Sequence, residues 1–331
     1  MTIYDIAKLA GVSASTVSRV INNKKGVGEK KRREIEELLE KLHYIPDENA
    51  RNLVTQKTHM IGILMDDLQS RHMNTGTVDI QNVILRAGYY CFIKYIGQGE
   101  NALEESIKDM AMKRVEGVLL MGVTFHNHQL LEKALRKYLR DIPVILVHQT
   151  KRPQMDNVYA VGADESEGIR RCVRKLADRG RRNLVLVIDK GRTSKKLIRD
   201  SFMEAVRNIP GIEGHVYMEV DATRSGGEGI VETILEDTPG VDGMLCVNDS
   251  IAIGTIYGMQ SKGKRVPEDI SVIGEDNSEL CEACKPRLTS MDTMLRLSTV
   301  LSAHLLTDIL DGRTRNHQTT MEMEIIDRET V

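Results

Sequence analysis

Short hydroxyl side chains and a single arginine characterise residues 10–23, which read AGVSASTVSRVINN. Val17, Val20 and Ile21 fall at i, i+3 and i+4, the spacing that places apolar side chains on one face of a helix. Ser, Thr, Arg and Asn occupy the other positions, where a surface helix of an enzyme usually carries Glu and Lys. Such a face can form specific hydrogen bonds with a polar partner.

Three short helices are expected to hold this face in place. Gly11 is favoured just past the end of a first helix, Ser13 can cap the second, and a third helix is expected over about residues 29–42. The expected inner positions are Ile6, Ala7, Leu9 and Ala10 in the first helix, and Ile35, Leu38, Leu39 and Leu42 in the third. The spacing is that of a helix-turn-helix. The alternative is a generic three-helix bundle with a polar surface.

The charge of this segment differs from that of the whole chain. Residues 1–33 contain eight Lys and Arg against two acidic residues, although the formal net charge of the protein is −2. A basic module joined to an acidic body indicates a polyanionic partner, with an ordinary solvated surface as the alternative. Short polar side chains fit the major groove of DNA, where an arginine can bind guanine O6 and N7. Four lysines are expected to reach phosphates: Lys24, Lys25, Lys30 and Lys31.

The segment TIYDIAKLAGVSASTVSRVINN, followed by HYIPDENARNL, resembles the DNA-binding headpiece of the lactose-repressor (LacI/GalR) family of bacterial transcription regulators. The resemblance implies a headpiece over residues 1–44. It implies base reading by Ala14, Ser15 and Arg19. Contacts to the DNA backbone are expected from Thr2, Tyr4, Ser13, Thr16, Ser18, Asn22 and Lys30.

Residues 45–58 form the expected linker. Pro46 ends the third helix, and Asp47 can cap a following turn. In the family this segment becomes a hinge helix on operator DNA, and a leucine from each copy is wedged into the minor groove. The matching residue is Leu53, and such wedges kink the duplex. The alternative is a plain flexible linker.

From Met60 onward, short apolar strands alternate with helical stretches. The strands are expected in MIGILMDD, GYYCFIKYIG, VEGVLLMG, IPVILVHQ, NLVLVIDKG, VYMEVD, VDGMLCVND and DISVIGEDN, and the first helices over about 77–87, 102–114 and 127–140. This alternation predicts an α/β core of two doubly wound parallel-sheet subdomains over 59–331. The first is expected over about 60–160 plus 292–315, and the second over about 161–290 plus 317–329.

Polar residues that follow the strands predict a ligand cleft between these subdomains, because ligands bind beyond the carboxyl ends of parallel strands. Segments such as LCVNDSIAIG and GKRVPEDISVIGEDN resemble the family's effector-binding core, which is similar to periplasmic sugar-binding proteins. Ile198 falls where many members carry an effector-binding arginine, and Arg199 is its possible substitute if the helix register differs by one. The expected effector contacts are Asp66, His72, Thr124, His126, His148, Arg199, Asn248, Asp249 and Asp276.

Motifs for other functions, such as nucleotide, zinc or redox sites, are incomplete in this sequence. GQGENA (97–102) satisfies a dinucleotide fingerprint but follows the second strand of its half, and Cys281-x-x-Cys284 has zinc or redox spacing without a second pair. The odd count of five cysteines argues against a secreted disulfide framework.

The sequence contains no membrane-length apolar run and no secretory signal, which predicts a cytoplasmic protein. Neither a cofactor, a metal nor an enzyme activity is expected.

The sequence therefore predicts a homodimeric, allosteric transcription regulator, and the family resemblance implies a repressor. Each headpiece would read one half-site of a pseudo-palindromic operator, and a small polar, sugar-like effector would control affinity. The proposed dimer surface includes Ile80, Val83, Ile84, Leu85 and the helix at 295–310, with simple core packing as the alternative. The alternative function is a small-molecule binding protein whose headpiece has lost its function.

Overall fold

A computed structural model describes residues 2–21, 23–44, 57–66, 71–97, 99, 101–192, 194–313 and 316–331; the side chains of residues 71, 72 and 123 are outside this description. The chain divides into two compact units, residues 1–58 and residues 59–331. Each unit is described by itself.

The first unit contains three helices, α1 (Ile3–Ala10), α2 (Ala14–Ile21) and α3 (Glu29–Lys41). Val17 is fully buried and Val20 is 4% exposed, so α2 presents the predicted face to the core. The core also holds Ile6 and Ile35, both fully buried. The prediction for Leu9 is wrong, because it is 62% exposed. The apolar face of α1 starts at Ile3 and continues at three- and four-residue steps, which leaves Leu9 on the opposite side of the helix.

The ends of these helices follow ordinary capping chemistry. Thr2 and Asp5 form a capping box at the start of α1, and Gly11 ends that helix in the left-handed region at φ 62°. The predicted cap of α2 is also present, since Ser13 Oγ accepts from the N–H of Thr16 at 3.2 Å. Arg32 fixes the loop before α3 by donating to the carbonyl of Lys24 at 2.6 Å.

The second unit contains two six-stranded sheets. The strands are β1 (Met60–Met65), β2 (Tyr90–Tyr95), β3 (Gly117–Met121), β4 (Val144–Val147), β5 (Val158–Ala163), β6 (Asn183–Asp189), β7 (Glu213–Val220), β8 (Gly243–Cys246), β9 (Ser271–Glu275), β10 (Thr289–Asp292), β11 (Gln318–Met321) and β12 (Glu324–Ile326). Their orders are β11-β5-β4-β3-β1-β2 and β12-β10-β9-β8-β6-β7. All pairs are parallel except β10 with β12.

Helices separate most of these strands. They are α4 (Arg71–Arg86), α5 (Ala102–Met112), α6 (His128–Tyr138), α7 (Glu165–Asp178), α8 (Lys195–Arg207), α9 (Arg224–Gly229), α10 (Val231–Asp237), α11 (Asp249–Ser261), α12 (Leu280–Ala283) and α13 (Leu295–Leu310), with a 3₁₀ turn at Val123–His126. Four buried clusters pack between the helices and the sheet faces. The predicted two-subdomain α/β core is therefore confirmed.

The chain crosses between the two sheets three times. The crossings follow β5, β10 and β11, because the next element in each case packs on or pairs in the other sheet. The crossing segments that follow β5 and β11 are joined by a hydrogen bond, because the N–H of Asp164 donates to the carbonyl of Met321 at 3.0 Å. These three adjacent segments are the hinge between the subdomains.

The predicted limits of the subdomains need one correction. β11 (Gln318–Met321) pairs in parallel with β5 of the first sheet, so the assignment of residues 317–321 to the second subdomain is wrong. The boundary near residue 160 is also early, because β5 continues to Ala163. β11 is short and polar, with alternating exposure, and its apolar pattern is too weak to indicate its partner.

The proposed dimer surface also needs correction. Ile80 and Ile84 are fully buried against the first sheet, so they belong to the core. The apolar side chains of α4 and α13 that are exposed are Val78, Leu85 and Leu297, at 55%, 49% and 48%. In the part of the chain that is described, no helix is long and apolar enough to cross a membrane.

Candidate DNA-binding and effector-binding sites

The polar face of α2 is open to solvent in the first unit. Ser15 and Arg19 are exposed, and Ala14 is half-buried. Ser13 Oγ lies 2.8 Å from Ser15 Oγ and 2.9 Å from Thr16 Oγ1, which fixes three hydroxyls at the start of the helix. The buried valines of the same helix hold this face outward, as its spacing predicts.

The residues expected to contact the DNA backbone have different environments. Tyr4 and Lys30 are exposed, whereas Thr2 is engaged in the capping box of α1. Lys31 forms an ion pair with Glu34 at 2.9 Å, which makes it less available for a phosphate than Lys30. Asn22 and Leu53, together with residues 45–56 of the expected hinge helix, lie outside the described residues.

A cavity of about 1120 Å³ lies between the two subdomains of the second unit. It is lined by residues that follow the strands of both sheets and by residues of the hinge. Of the predicted effector contacts, His126, His148 and Asp276 line this cavity. The side chain of His72, which was also expected there, lies outside the description.

The first subdomain contributes imidazole and amide groups to the cavity. His148 has a left-handed backbone at φ 60°, and its Nδ1 forms a hydrogen bond of 3.3 Å with Ser298 Oγ of α13. Removal of water by the surrounding protein lowers the pKa of His126, which keeps this imidazole neutral at physiological pH. Gln149 is 6% exposed and lies on the same wall. This wall offers hydrogen-bond donors and acceptors.

The second subdomain contributes carboxylates and one central guanidinium. Arg192 Nη2 donates to Glu165 Oε1 at 2.7 Å and also contacts Glu275 Oε1. Burial raises the pKa of Glu275 and of Asp276; the positive charge of Arg192 opposes this change, and neighbouring carboxylates add to it. Asp276 adopts φ 105°, a strained value for a non-glycine residue, where the strand turns into the cavity.

Two expected effector contacts hold a loop instead. Asp66 Oδ2 accepts from the N–H of Thr124 at 2.7 Å, and neither residue lines the cavity. A Cβ atom on Gly122 would lie 1.8 Å from Asp66 Oδ1, so this carboxylate packs directly against the turn after β3. The structure therefore places Asp66 and Thr124 in the support of the cavity wall.

Asn248 and Asp249 likewise lie outside the cavity lining. Asn248 caps α11, with Oδ1 accepting from the N–H of Ser250 at 2.8 Å. Asp249 is 2% exposed, and its carboxylate accepts from Ser290 Oγ at 2.6 Å and from the N–H of Ser278 at 2.7 Å. Both oxygens thus have partners within the second subdomain, and its predicted role as a direct contact does not fit this position.

Arg199 does not replace the arginine that is absent at position 198. Ile198 is fully buried in the core of the second subdomain. Arg199 is bonded to Asp200 at 2.8 Å and does not line the cavity, so the proposed shift in register is wrong. Arg192, which follows β6, lines the cavity instead.

Arg192 belongs to the polar residues that follow the strands, where the sequence predicts the cleft, whereas Glu165 and Glu275 are not among the site residues expected from the sequence. For Glu275 a signal was available, because a carboxylate at the end of the otherwise apolar strand SVIGE is unusual. Glu165 carries a weaker signal, since acidic residues are common in the first turn of any helix.

The alternative motifs have structural explanations. Cys281 and Cys284 are free and buried, and burial raises the pKa of both thiols, which disfavours a reactive thiolate. The segment GQGENA includes residues 98 and 100, which are not described. In the glycine-rich segment SGGEG (225–229), Gly227 serves helix packing, since a Cβ on it would lie 2.1 Å from the carbonyl oxygen of Ile251.

Comparisons with known proteins agree with this arrangement. A family model described as bacterial regulatory proteins, lacI family, matches residues 2–47, and a periplasmic binding protein-like domain matches residues 173–331. The HTH-type transcriptional repressor PurR of Vibrio atlanticus is 30% identical over 342 residues, covering 100% of this chain and 98% of that protein. The chain belongs to the lacI family of bacterial regulatory proteins. A second relative of this lacI-family chain, an HTH-type transcriptional regulator of Lachnoclostridium phytofermentans, is 25% identical and covers 100% and 99% of the two chains.

Solved structures show the same fold. A lac repressor dimer bound to operator and the anti-inducer ONPF has a TM-score of 0.87 at 23% identity, covering 100% of this chain and 98% of that one. A CelR–cellobiose complex has a TM-score of 0.70 at 23% identity, with 100% of both chains covered.

Membership of the lacI family settles the class of function. The protein is a DNA-binding transcription regulator of the repressor type, not an enzyme, and it binds operator DNA as a dimer under the control of a small molecule. As a bacterial DNA-binding regulator it acts in the cytoplasm.

Proposed function

We propose that α2 enters the major groove, where Ser15 and Arg19 form hydrogen bonds with base edges and Ala14 contacts a thymine methyl group. The exposure of Ser15 and Arg19 above a buried valine stripe supports this proposal. An exposed guanidinium can bind guanine O6 and N7 as a fork, and the small Ala14 lets the helix approach the bases closely.

Backbone contacts are proposed for the residues around this face. We propose that Ser13, Thr16 and Ser18 bond phosphates at the start and along one side of α2. Thr2 at the cap of α1, Tyr4 on α1 and Lys30 on α3 are proposed to add contacts. Asn22 and the minor-groove wedge Leu53 are proposed from the family resemblance. These contacts set affinity and register and carry no sequence information of their own.

Two substitutions separate these roles. Arg19→Ala is expected to weaken binding to the operator by about 1–3 kcal/mol and to relax the preference for one base pair. Lys30→Ala is expected to weaken operator and scrambled DNA equally and to reduce the salt slope by about one. Fluorescence anisotropy with both duplexes at several salt concentrations measures these effects. An identical effect of the two substitutions on both duplexes would contradict the assignment.

The cavity between the subdomains is proposed to bind a small, non-planar polar effector. Its described lining residues include no Phe, Tyr or Trp, and their aromatic rings are the small imidazoles of His126, His128 and His148. The lining is instead rich in hydroxyl, amide, imidazole and carboxylate groups, which suit a polyhydroxylated compound. Lactose and cellobiose complexes of proteins with the same fold are consistent with this class.

The position of the cavity supports a mechanism of control. Asp164, Thr293 and Met323, one from each of the three crossing segments, line it, so an effector would contact the hinge directly. We infer that the effector binds one angle between the subdomains better than the other and thereby changes DNA affinity. An effector with equal affinity for both angles would change nothing.

A further inference from the structure

A continuous chain of hydrogen bonds joins the two walls of the cavity through the crossing that follows β10. On the side of the second subdomain, Asn277 Nδ2 donates to Asp292 Oδ2 at 2.9 Å, and Asp292 Oδ1 accepts from the N–H of Met294 at 2.7 Å. On the side of the first subdomain, Ser298 Oγ donates to the carbonyl of Met294 at 2.8 Å and lies 3.3 Å from His148 Nδ1. The backbone of Met294 is therefore bonded toward both subdomains.

Both ends of this hydrogen-bond chain reach the cavity. His148 lines the first wall, and Asn277 directly follows Asp276, which lines the second. The links between them lie behind the lining, since Asp292 is the last residue of β10 and Ser298 is fully buried near the start of α13. A ligand that contacts both walls would therefore act on both ends of the chain.

The direction of the bonds at each end is set by neighbouring groups. Arg328 Nη2 donates to Asn277 Oδ1 at 2.8 Å, so the other end of this amide is the donor. Ser298 has one hydroxyl proton, which goes to the carbonyl of Met294. Its Oγ therefore accepts from the N–H at Nδ1 of His148. Every link is thus a matched pair of donor and acceptor.

The backbone is strained along this chain. Nine non-glycine residues of the described part of the protein have a positive φ, and four of them lie on the chain or next to it. They are His148 at 60°, Asp276 at 105°, Asn277 at 49° and Met294 at 56°. Such conformations persist where surrounding bonds hold them, and they concentrate at ligand sites and switches. The hydrogen bonds thus hold both walls and the crossing in conformations that are unfavourable on their own.

We infer that Asn277, Asp292 and Ser298 are positioning residues that couple the two cavity walls across the hinge. A contact of the effector with one wall would then bias the other wall and the crossing, which is the differential interaction that control of DNA affinity requires. The three residues lie outside the cavity lining, so they act through His148 and Asp276. This inference rests on the proposed function of the cavity as the effector site.

Amide hydrogen exchange of the full-length protein without any ligand tests the coupling, because it reports local opening on each side of the hinge. Asn277→Ala, in the second subdomain, is expected to speed exchange at the start of α13 and around His148 in the first. Ser298→Ala, in the first subdomain, is expected to speed exchange at residues 276–278 in the second. Each change across the hinge is expected to be about two-fold or more. An effect confined to the substituted subdomain, for either variant, would overturn the inference.

Two further variants sharpen this test. Asp292→Asn keeps the shape of the side chain, but its amide has one acceptor oxygen where the carboxylate uses two, so exchange should rise on both sides of the hinge. Thr299→Ala is the matched control for Ser298→Ala. Thr299 is fully buried in the same helix and donates within that helix, to the carbonyl of Arg296 at 2.8 Å. It should leave exchange at residues 276–278 unchanged, and a change there equal to that in Ser298→Ala would overturn the inference.

Operator affinity gives a second readout, on a duplex that the protein selects from a random-sequence pool. Asn277→Ala and Ser298→Ala are expected to change the Kd in the same direction by about two-fold or more. The double variant should change it no more than the larger single change, because both substitutions interrupt one chain. Effects that multiply, or an unchanged Kd in both variants, would overturn the inference. Equal affinity of the unsubstituted protein for selected and scrambled DNA would instead reject the proposed base reading, and hydrogen exchange would still decide the coupling.

Discussion

Arg192 donates to one carboxylate oxygen of Glu275, and the other oxygen of that fully buried carboxyl group has no partner among the described residues. The pair links β6 and β9 across the wall of the cavity. Arg192 is shared with Glu165, whereas no second cation among the described residues forms an ion pair with Glu275.

Arg192→Ala is therefore expected to destabilise the core by about 1–3 kcal/mol, because it removes the donor shared by Glu165 and Glu275 and leaves a buried oxygen of Glu275 unpaired. Urea unfolding followed by circular dichroism would show a lower midpoint with an unchanged slope. Arg265→Ala is the matched control, since Arg265 forms an exposed pair with Asp269 and should matter little. Equal losses in the two variants would contradict the role of Arg192.

Glu275 also predicts how stability depends on pH. Burial raises its pKa above the ordinary value of 4.5, so the folded protein holds a proton that the unfolded chain releases. Stability is therefore expected to fall as the pH rises from about 5 to about 8. Glu275→Gln should flatten this dependence, whereas Glu268→Gln, at an exposed glutamate outside the cavity lining, should not. Melting temperatures across this range measure the effect, and a steeper fall in Glu275→Gln would reject it.

His43 occupies a position that favours glycine. It adopts φ 48° just past the end of α3, where the N–H of Tyr44 donates to the carbonyl of Leu39 at 3.0 Å, as in a Schellman motif. His43→Gly is expected to stabilise the headpiece by about 0.5–1 kcal/mol. Amide hydrogen exchange of α3 in the full-length protein should slow. Glu40→Gly, inside the helix, should instead accelerate it, and faster exchange in His43→Gly would contradict the expectation.

Two glycines of the contact between α9 and α11 are expected to respond in opposite ways. A Cβ on Gly254 would lie 2.0 Å from the carbonyl oxygen of Arg224, which is backbone that cannot easily move, whereas no atom lies within 4 Å of a Cβ on Gly229. Gly254→Ala should destabilise the core by more than about 2 kcal/mol, and Gly229→Ala should stabilise it by up to about 1 kcal/mol. Urea midpoints of the two variants test this, and a tolerated Gly254→Ala would show that the helices can separate.

Periodicity and strand composition sufficed to predict the headpiece, the two sheets and the location of the cleft. They failed where tertiary pairing decides the structure. The polar strand β11 has no apolar pattern that assigns it to the first sheet, and Ile80 and Ile84 have the spacing of either a core or an interface.

The prediction of individual site residues was less successful for a related reason. Position after a strand brings a residue near the cleft, but hydrogen bonds decide whether it faces the cavity. The carboxylates of Asp66 and Asp249 accept hydrogen bonds from other residues of the protein. The guanidinium of Arg192 lies at the cavity, where it forms ion pairs with Glu165 and Glu275. Sequence spacing does not show such partners.

The most direct test of the function is the discrimination of the full-length protein between two DNA duplexes. One is selected by the protein from a random-sequence pool, and the other has the same composition in scrambled order. We expect the selected sequence to be pseudo-palindromic and to bind at least about 10³-fold more tightly at physiological salt. Equal affinity for the two duplexes would contradict sequence-specific recognition by α2.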